Sequence, residues 1–348
     1  MAGSCHMLTI RPLLRPEIPA QSGDRSFTDE RRAVMSTGDT MRAVIVREWG
    51  GPEVLTLAEL ARPEPGVGEI QVRVHAAGVN PVDWKTRASG SLIAWGTPPI
   101  LGWDVSGVVS AVGPGVSLFQ PGDEVFGMPS FPAQAGSYAE YVVGPTRHFL
   151  RKPREIDHIQ AAALPLAALT AWQTLVDTAD VRAGQRVLIH AAAGGVGHLA
   201  VQIAKARGAY VIGTARADKH DFLRDLGADE LIDYSAVDFA ETLRDVDIVV
   251  DGIGGAYGER SLRVLRPGGH LVTLPDADSV PDTTGRDVRA GWTVVEPDAA
   301  GLREIVDLIT TGRLRVEIDT VLPLSEAAKA HLLGESGRTR GKIVLSVA

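Results

Sequence analysis

Residues 186–197 read Arg186-Val187-Leu188-Ile189-His190-Ala191-Ala192-Ala193-Gly194-Gly195-Val196-Gly197. Val187-Leu188-Ile189 is a short unbroken apolar run, the pattern of a strand covered on both faces. Beyond the loop, Val196, Leu199, Ala200, Ile203 and Ala204 recur at helical spacing, and Gly208 supplies a stop. Small residues between strand and helix let the backbone approach a ligand closely. The helix N-terminus adds free N–H groups and the positive end of its dipole, which suits a pyrophosphate. Ala192 stands at the first glycine of a G-x-G-x-x-G fingerprint, so the motif alone is weak. The strand before it and the helix after it make it a dinucleotide-binding loop.

The same alternation continues downstream. Tyr210-Val211-Ile212-Gly213, Leu231-Ile232, residues 247–250 and residues 270–274 read as further strands, with Trp292-Thr293-Val294-Val295 as the expected sixth. Strands separated by helical stretches predict a doubly wound parallel sheet, an α/β fold. An acid about 20 residues beyond the glycine motif would hold the ribose 2′-hydroxyl of NAD. This chain instead has Gly213-Thr214-Ala215-Arg216-Ala217-Asp218-Lys219 there. Arg216 and Lys219 could pair with a 2′-phosphate, which points to NADPH, although Asp218 between them weakens the signal and both could form a solvated face. Upstream, residues 41–150 carry short β-type runs separated by turn formers such as Gly113-Pro114-Gly115 and Pro121-Gly122-Asp123, as in a small irregular barrel.

Composition narrows the classes. The chain has 348 residues, 45% hydrophobic and 22% charged, as expected of a globular protein with more than one domain. A net charge of −8, with no basic stripe interleaved with aromatics, argues against a nucleic-acid partner. The longest apolar stretch, around residues 161–172, is interrupted by Pro165 and is too short to span a membrane. Cys5 is the single cysteine, which rules out an intrachain disulfide and a thiolate zinc cage and suits a reducing, cytoplasmic compartment. Residues 1–40 lack apolar periodicity and read as a leader. Glu155-Ile156-Asp157-His158 has one Glu-x-x-His spacing but reads as solvated loop, and His190 reads as a packed strand-end residue. There is no G-x-S-x-G elbow and no Walker A loop.

Several blocks together resemble the medium-chain dehydrogenase/reductase family, in its zinc-free quinone oxidoreductase and enone reductase branch. They are Gly51-Pro52-Glu53-Val54-Leu55, Gly78-Val79-Asn80-Pro81-Val82-Asp83-Trp84-Lys85, Gly136-Ser137-Tyr138-Ala139-Glu140-Tyr141, Leu169-Thr170-Ala171-Trp172, the glycine loop and Arg340-Gly341-Lys342-Ile343-Val344. The resemblance implies a GroES-like β-barrel over 41–165, a Rossmann sheet over 166–298 and a return to the barrel over 299–348. It implies that Asn80 and Lys85 line the nicotinamide and substrate site, that Thr170 meets the nicotinamide end and that Tyr234 lies beside the adenosine 2′-phosphate. The expected cofactor contacts are Thr170, Ala193, Gly194, Gly195, Val196, Gly197, Thr214, Arg216, Lys219, Tyr234 and Gly252. Tyr138 is a candidate proton donor, with a packing role as its alternative. Lys85 could also be a surface lysine or a pyrophosphate contact.

Zinc-dependent members have a catalytic Cys and a Gly-His-Glu motif where this chain has Asn80 and Gly102-Trp103-Asp104. Without a Lewis acid, oxidation of simple alcohols is disfavoured, whereas quinones and enones accept hydride directly. The expectation is an NADPH-dependent quinone or enone reductase. An enoyl-thioester reductase and a non-catalytic NADPH-binding protein are the alternatives. A homodimer is expected through the uncovered edge of the sixth strand.

Overall fold

The computed structural model describes residues 40–90 and 99–347, so the leader expected over residues 1–40 lies almost wholly outside the described residues. The first part is β-rich: β1 (Thr40–Val46), β2 (Leu55–Ala61), β3 (Glu69–Val79), β4 (Asp104–Val112), β5 (Glu124–Gly127), β6 (Tyr141–Pro145) and β7 (Phe149–Arg151). Six parallel strands follow: β8 (Arg186–Ile189), β9 (Tyr210–Ala215), β10 (Glu230–Asp233), β11 (Val246–Asp251), β12 (Leu265–Thr273) and β13 (Val288–Trp292). The chain then returns with β14 (Ile318–Pro323) and β15 (Lys342–Ser346), where β15 pairs antiparallel with β3. The barrel sheet therefore runs β14-β15-β3-β4-β5-β7, with β6 also on β3.

Helices α1 (Pro81–Ser89), α2 (His158–Ala162) and α3 (Pro165–Trp172) precede the parallel sheet. Within it lie α4 (Gly197–Ala206), α5 (His220–Asp225), α6 (Phe239–Thr242) and α7 (Ala256–Leu262), followed by α8 (Ala299–Thr310) and α9 (Ala327–Glu335). Val187, Leu188 and Ile189 are fully buried, as a strand covered by helices on both faces must be. The parallel order is β10-β9-β8-β11-β12-β13. The winding of the sheet reverses between β8 and β11, and in open α/β sheets the carboxyl ends of the strands at such a point are where a ligand crevice lies.

Two expectations need correction. The sixth strand is Val288–Trp292, not 292–295. The apolar run misled because β13 is an edge strand with β12 as its neighbour, so it needs no continuous apolar sequence. His158 is not a solvated loop residue. It opens α2 behind the Asp157 cap, its ring lies 4.3 Å from that of His75, and its Nδ1 is 2.8 Å from Ser106 Oγ. Burial pushes both imidazoles below their ordinary range, so the pair is neutral at neutral pH.

Candidate active site

The β8–α4 loop is shaped by its own backbone hydrogen bonds. Ala192 N donates to Thr214 O (3.1 Å), Gly194 N to Ala191 O (2.9 Å) and His198 N to Gly194 O (3.1 Å). The last of these is the first bond to reach back a full helical turn, which leaves the Gly195, Val196 and Gly197 N–H groups at the open helix end. A Cβ on Gly197 would lie 2.3 Å from Ala191 O and 2.7 Å from Ala192 Cα, so only glycine fits the packed turn. Ala191 adopts φ +50°, a strained conformation for a non-glycine residue and of the kind that collects at ligand sites. His198 holds the loop from below: its Nδ1 lies 2.9 Å from Gly194 O, and its Nε2 accepts from Glu317 N at 3.2 Å. Burial pushes its pKa down to about 4, so it is a neutral hydrogen-bonding spacer. The concave backbone, the small residues and the helix end fit the diphosphate of a dinucleotide.

The other expected contacts sit along the same carboxyl edge. Arg216 directly follows β9 and Tyr234 directly follows β10, and both are exposed. Lys219 donates to Arg338 O (2.7 Å) and Thr339 O (2.9 Å), tying the β9 end to the C-terminal loop. Gly252 follows β11 on the far side of the crevice and is exposed. These positions fall in two groups, one at the ends of β9 and β10 and one at the ends of β11 and β12. Thr214 does not belong to the set: it is buried, and its hydroxyl lies 3.1 Å from His190 Nδ1, inside the sheet. His190 is itself held by Ser261 Oγ at 3.1 Å, and burial keeps it neutral with a pKa of about 3.

The barrel side holds a buried polar chain that local sequence reading missed. Asn80 caps α1, where its backbone N–H donates to Asp83 Oδ2 at 2.7 Å. Its side-chain Nδ2 donates to Asp104 Oδ2 at 2.8 Å, and its Oδ1 accepts from the Lys342 ammonium. Lys342 Nζ also donates to Val79 O at 3.0 Å and lies 3.7 Å from Asp104. Burial pushes Asp104 up and Lys342 down. Yet Asp104 receives N–H donors from Asn80 and from Leu166 (2.7 Å), while Lys342 meets acceptors, so the arrangement is that of an ion pair.

Tyr138 requires a correction. It is fully buried, and its hydroxyl donates to Asp83 Oδ2 at 3.0 Å beside His331 Nε2 at 3.3 Å. Burial, then the Asp83 charge, hold its pKa well above the ordinary value, and its hydroxyl proton is directed at Asp83 inside the core, which favours the packing role. Burial pushes Asp83 up to about 7. Thr170 is nearly buried, with its hydroxyl on Leu166 O at 2.7 Å. Lys85, by contrast, is exposed on α1 and reaches across to Pro275 O at 3.4 Å, beyond the carboxyl end of β12. The one sequence signal for the buried chain was a lysine opening the apolar run Ile343-Val344-Leu345.

Among the described residues, no group of three or more His, Cys, Asp or Glu could hold a metal ion. Residues 66–154 match the alcohol dehydrogenase GroES-like domain, and residues 226–345 match the zinc-binding dehydrogenase family. Human quinone oxidoreductase is 32% identical over 336 residues, covering 89% of this chain and 99% of that protein. An NADPH-dependent alkenal/one oxidoreductase of Arabidopsis thaliana is 34% identical over 356 residues, covering 99% of this chain and 88% of that protein. The solved structure of the quinone oxidoreductase from Coxiella burnetii superposes with a TM-score of 0.83 at 37% identity, covering 89% of this chain and all of that one. A mycocerosic acid synthase-like polyketide synthase of Mycobacterium tuberculosis is 36% identical over 326 residues, but the chain spans only 15% of its length. A strand–loop–helix of dinucleotide-binding type beside a barrel with Asn80 and Gly102-Trp103-Asp104 at the zinc-motif positions agrees with these relatives, and the chain belongs to the zinc-independent quinone oxidoreductase branch of the medium-chain dehydrogenase/reductase family, a family of oxidoreductases.

Proposed function

We propose that this protein uses NADPH to reduce a quinone or an α,β-unsaturated carbonyl compound. The observation that carries the reading is the paired geometry of the crevice: a phosphate cradle at β8 with Arg216 and Lys219 beyond β9, and Lys85 projecting from the barrel toward the end of β12. The names of the human and Arabidopsis relatives support the acceptor class, and the second supports NADPH. Bound in the crevice, the dihydronicotinamide supplies a hydride. Gly195, Val196 and Gly197 hold the diphosphate through backbone N–H groups, and the Lys85 ammonium stabilises charge growing on the acceptor's carbonyl oxygen. Asn80 acts through position, because its carbonyl oxygen is bonded to Lys342 and one amide N–H to Asp104. The proton that completes the reduction comes from solvent or Lys85. Enoyl thioesters are conjugated electrophiles of the same kind, and the likeness to a polyketide synthase is reason to include one among the acceptors.

The test measures NADPH oxidation against a panel of quinones, enones and an enoyl thioester. Lys85→Met should lower kcat roughly 10²-fold, the effect of losing one preorganised oxyanion donor. NADPH affinity should stay within about threefold, because the interaction strengthens only as the oxygen gains charge. Wild-type kcat, or lost NADPH affinity with kcat intact at saturation, would remove Lys85 from the mechanism.

The same reading includes a homodimer formed by edge pairing of β13. β13 lies at the end of the strand order with Trp292 45% exposed, and an edge strand of this kind offers unpaired backbone groups to a second copy. Light scattering at micromolar concentration is expected to give twice the chain mass, and a monomer refutes the arrangement. No helix among the described residues is long and apolar enough to cross a membrane. A reducing, cytoplasmic compartment fits the single cysteine.

A further inference from the structure

We infer that Lys342 is a positioning residue for this reaction, its buried ammonium fixing the starts of α1 and, through Asp104, α3, while its stem and the preceding Gly341 pack against the loop between β8 and α4. The inference rests on the reductase reading, but its physical content is separate. The first segment is the start of α1. Lys342 donates to Val79 O and Asn80 Oδ1, the residues that immediately precede the helix carrying Lys85. The second is the start of α3. Asp104, the counter-charge of Lys342, accepts the Leu166 N–H at 2.7 Å, at the beginning of the helix that carries Thr170. The third is the phosphate loop. Gly341 N donates to Ala193 O at 2.9 Å, and a Cβ on Gly195 would lie 3.2 Å from Lys342 Cδ, so the lysine stem runs directly against the loop.

The backbone at this junction has little freedom. Gly341 sits at φ +80°, and a Cβ there would meet Glu317 O at 2.3 Å. Lys342 N donates to Glu317 O at 2.9 Å, which also fixes where the side chain departs. Lys342 is 3% exposed and Asp104 fully buried. A buried ion pair of this kind gives little net stability over an apolar pair of the same volume, because desolvation offsets the attraction. What an apolar pair lacks is direction. The ammonium has three N–H bonds to place and the carboxylate four lone-pair sites, and together they orient the Asn80 amide and both helix starts.

Two variants separate positioning from charge balance. Lys342→Met leaves Asp104 buried without its counter-charge, so it is expected to melt at lower temperature and is not decisive alone. Adding Asp104→Asn removes both charges and is expected to restore the melting temperature to near wild type. In the double variant, kcat for quinones or enones should still be down roughly 10²-fold, as for a displacement of about 1 Å at the reacting centre. Amide hydrogen exchange of the cofactor-free protein should rise at least about tenfold in peptides covering 192–199 and 336–343, with peptides from β11 and β12 unchanged. If the double variant turns over at the wild-type rate, or its exchange in those peptides matches wild type, Lys342 merely balances charge and the inference is overturned. If wild-type protein reduces none of the acceptors, the reductase reading fails, while the exchange measurement still decides whether Lys342 holds the three segments together.

Discussion

Gly197→Ala is expected to weaken NADPH binding by roughly 10²-fold or more and to lower the melting temperature by several degrees, consistent with an overpacking cost of about 1–3 kcal/mol. A Cβ at this position would lie 2.3 Å from Ala191 O, 2.7 Å from Ala192 Cα and 2.7 Å from Ala192 O. All three atoms are backbone, so no side-chain rotation relieves the contact. The loop has no slack to give. Ala191 is already at positive φ, Ala192 is fully buried and donates to Thr214 O, and the Ala193 carbonyl is taken by Gly341 N. Accommodating the methyl group must therefore lift the helix start away from the turn. That movement spreads the three N–H groups on which the diphosphate depends. Fluorescence titration with NADPH and a thermal melt measure the two effects. Affinity equal to wild type would show that the turn relaxes without disturbing the cradle.

Arg216→Ala with Lys219→Ala is expected to reduce NADPH affinity by roughly 10²-fold while NADH affinity changes by less than about threefold, taking about 1.5 kcal/mol for each charge-assisted bond to the 2′-phosphate. The structure gives the two cations unequal roles. Arg216 is exposed just beyond β9, and the proposed function gives its side chain to the ligand. Lys219 also donates to Arg338 O and Thr339 O, so its loss releases the C-terminal loop as well. That loop carries Arg338 and Arg340. Arg340 is held by Glu317 at 2.9 Å and lies 5.2 Å above the Phe222 ring. Arg216→Ala alone is therefore the cleaner probe, with a loss of roughly tenfold for NADPH and none for NADH. Equal losses for both cofactors in either variant would show that these residues do not read the 2′-phosphate.

Local patterns were enough to read the parallel sheet, the glycine loop after its first strand and the position of Arg216 beyond the second, whereas Tyr234 and Gly252 rested on the family resemblance. Each local reading rests on residues adjacent in sequence: a strand needs its own apolar run, and a helix start needs its own small residues. The same local reasoning failed at β13. An edge strand has a neighbour on one side, and the more apolar residues that follow it drew the assignment four residues too far. It also failed at Thr214, whose hydroxyl points into the sheet toward His190.

At the barrel, sequence supplied the residues and tertiary structure assigned their work. Asn80, Lys85, Tyr138 and Lys342 all lie in blocks that mark the family, but their partners are far away along the chain. Lys342 bonds to Asn80 across 262 positions, Tyr138 to Asp83 across 55, and Lys85 to Pro275 across 190. A hydroxyl or ammonium reads identically in sequence whether it faces a ligand or a buried carboxylate. What separates the two cases is which long-range contact desolvates it first. Burial against Asp83 takes Tyr138 away from the chemistry, and burial between Asn80 and Asp104 makes Lys342 an internal anchor. Lys85 stays exposed on α1, within reach of the Pro275 carbonyl. Sequence by itself determined the cofactor-binding scaffold and the absence of zinc-ligand residues at their family positions, because both are set by residue identity. The folded chain alone decided which polar groups remain available to a substrate, because availability depends on desolvation by residues distant in sequence.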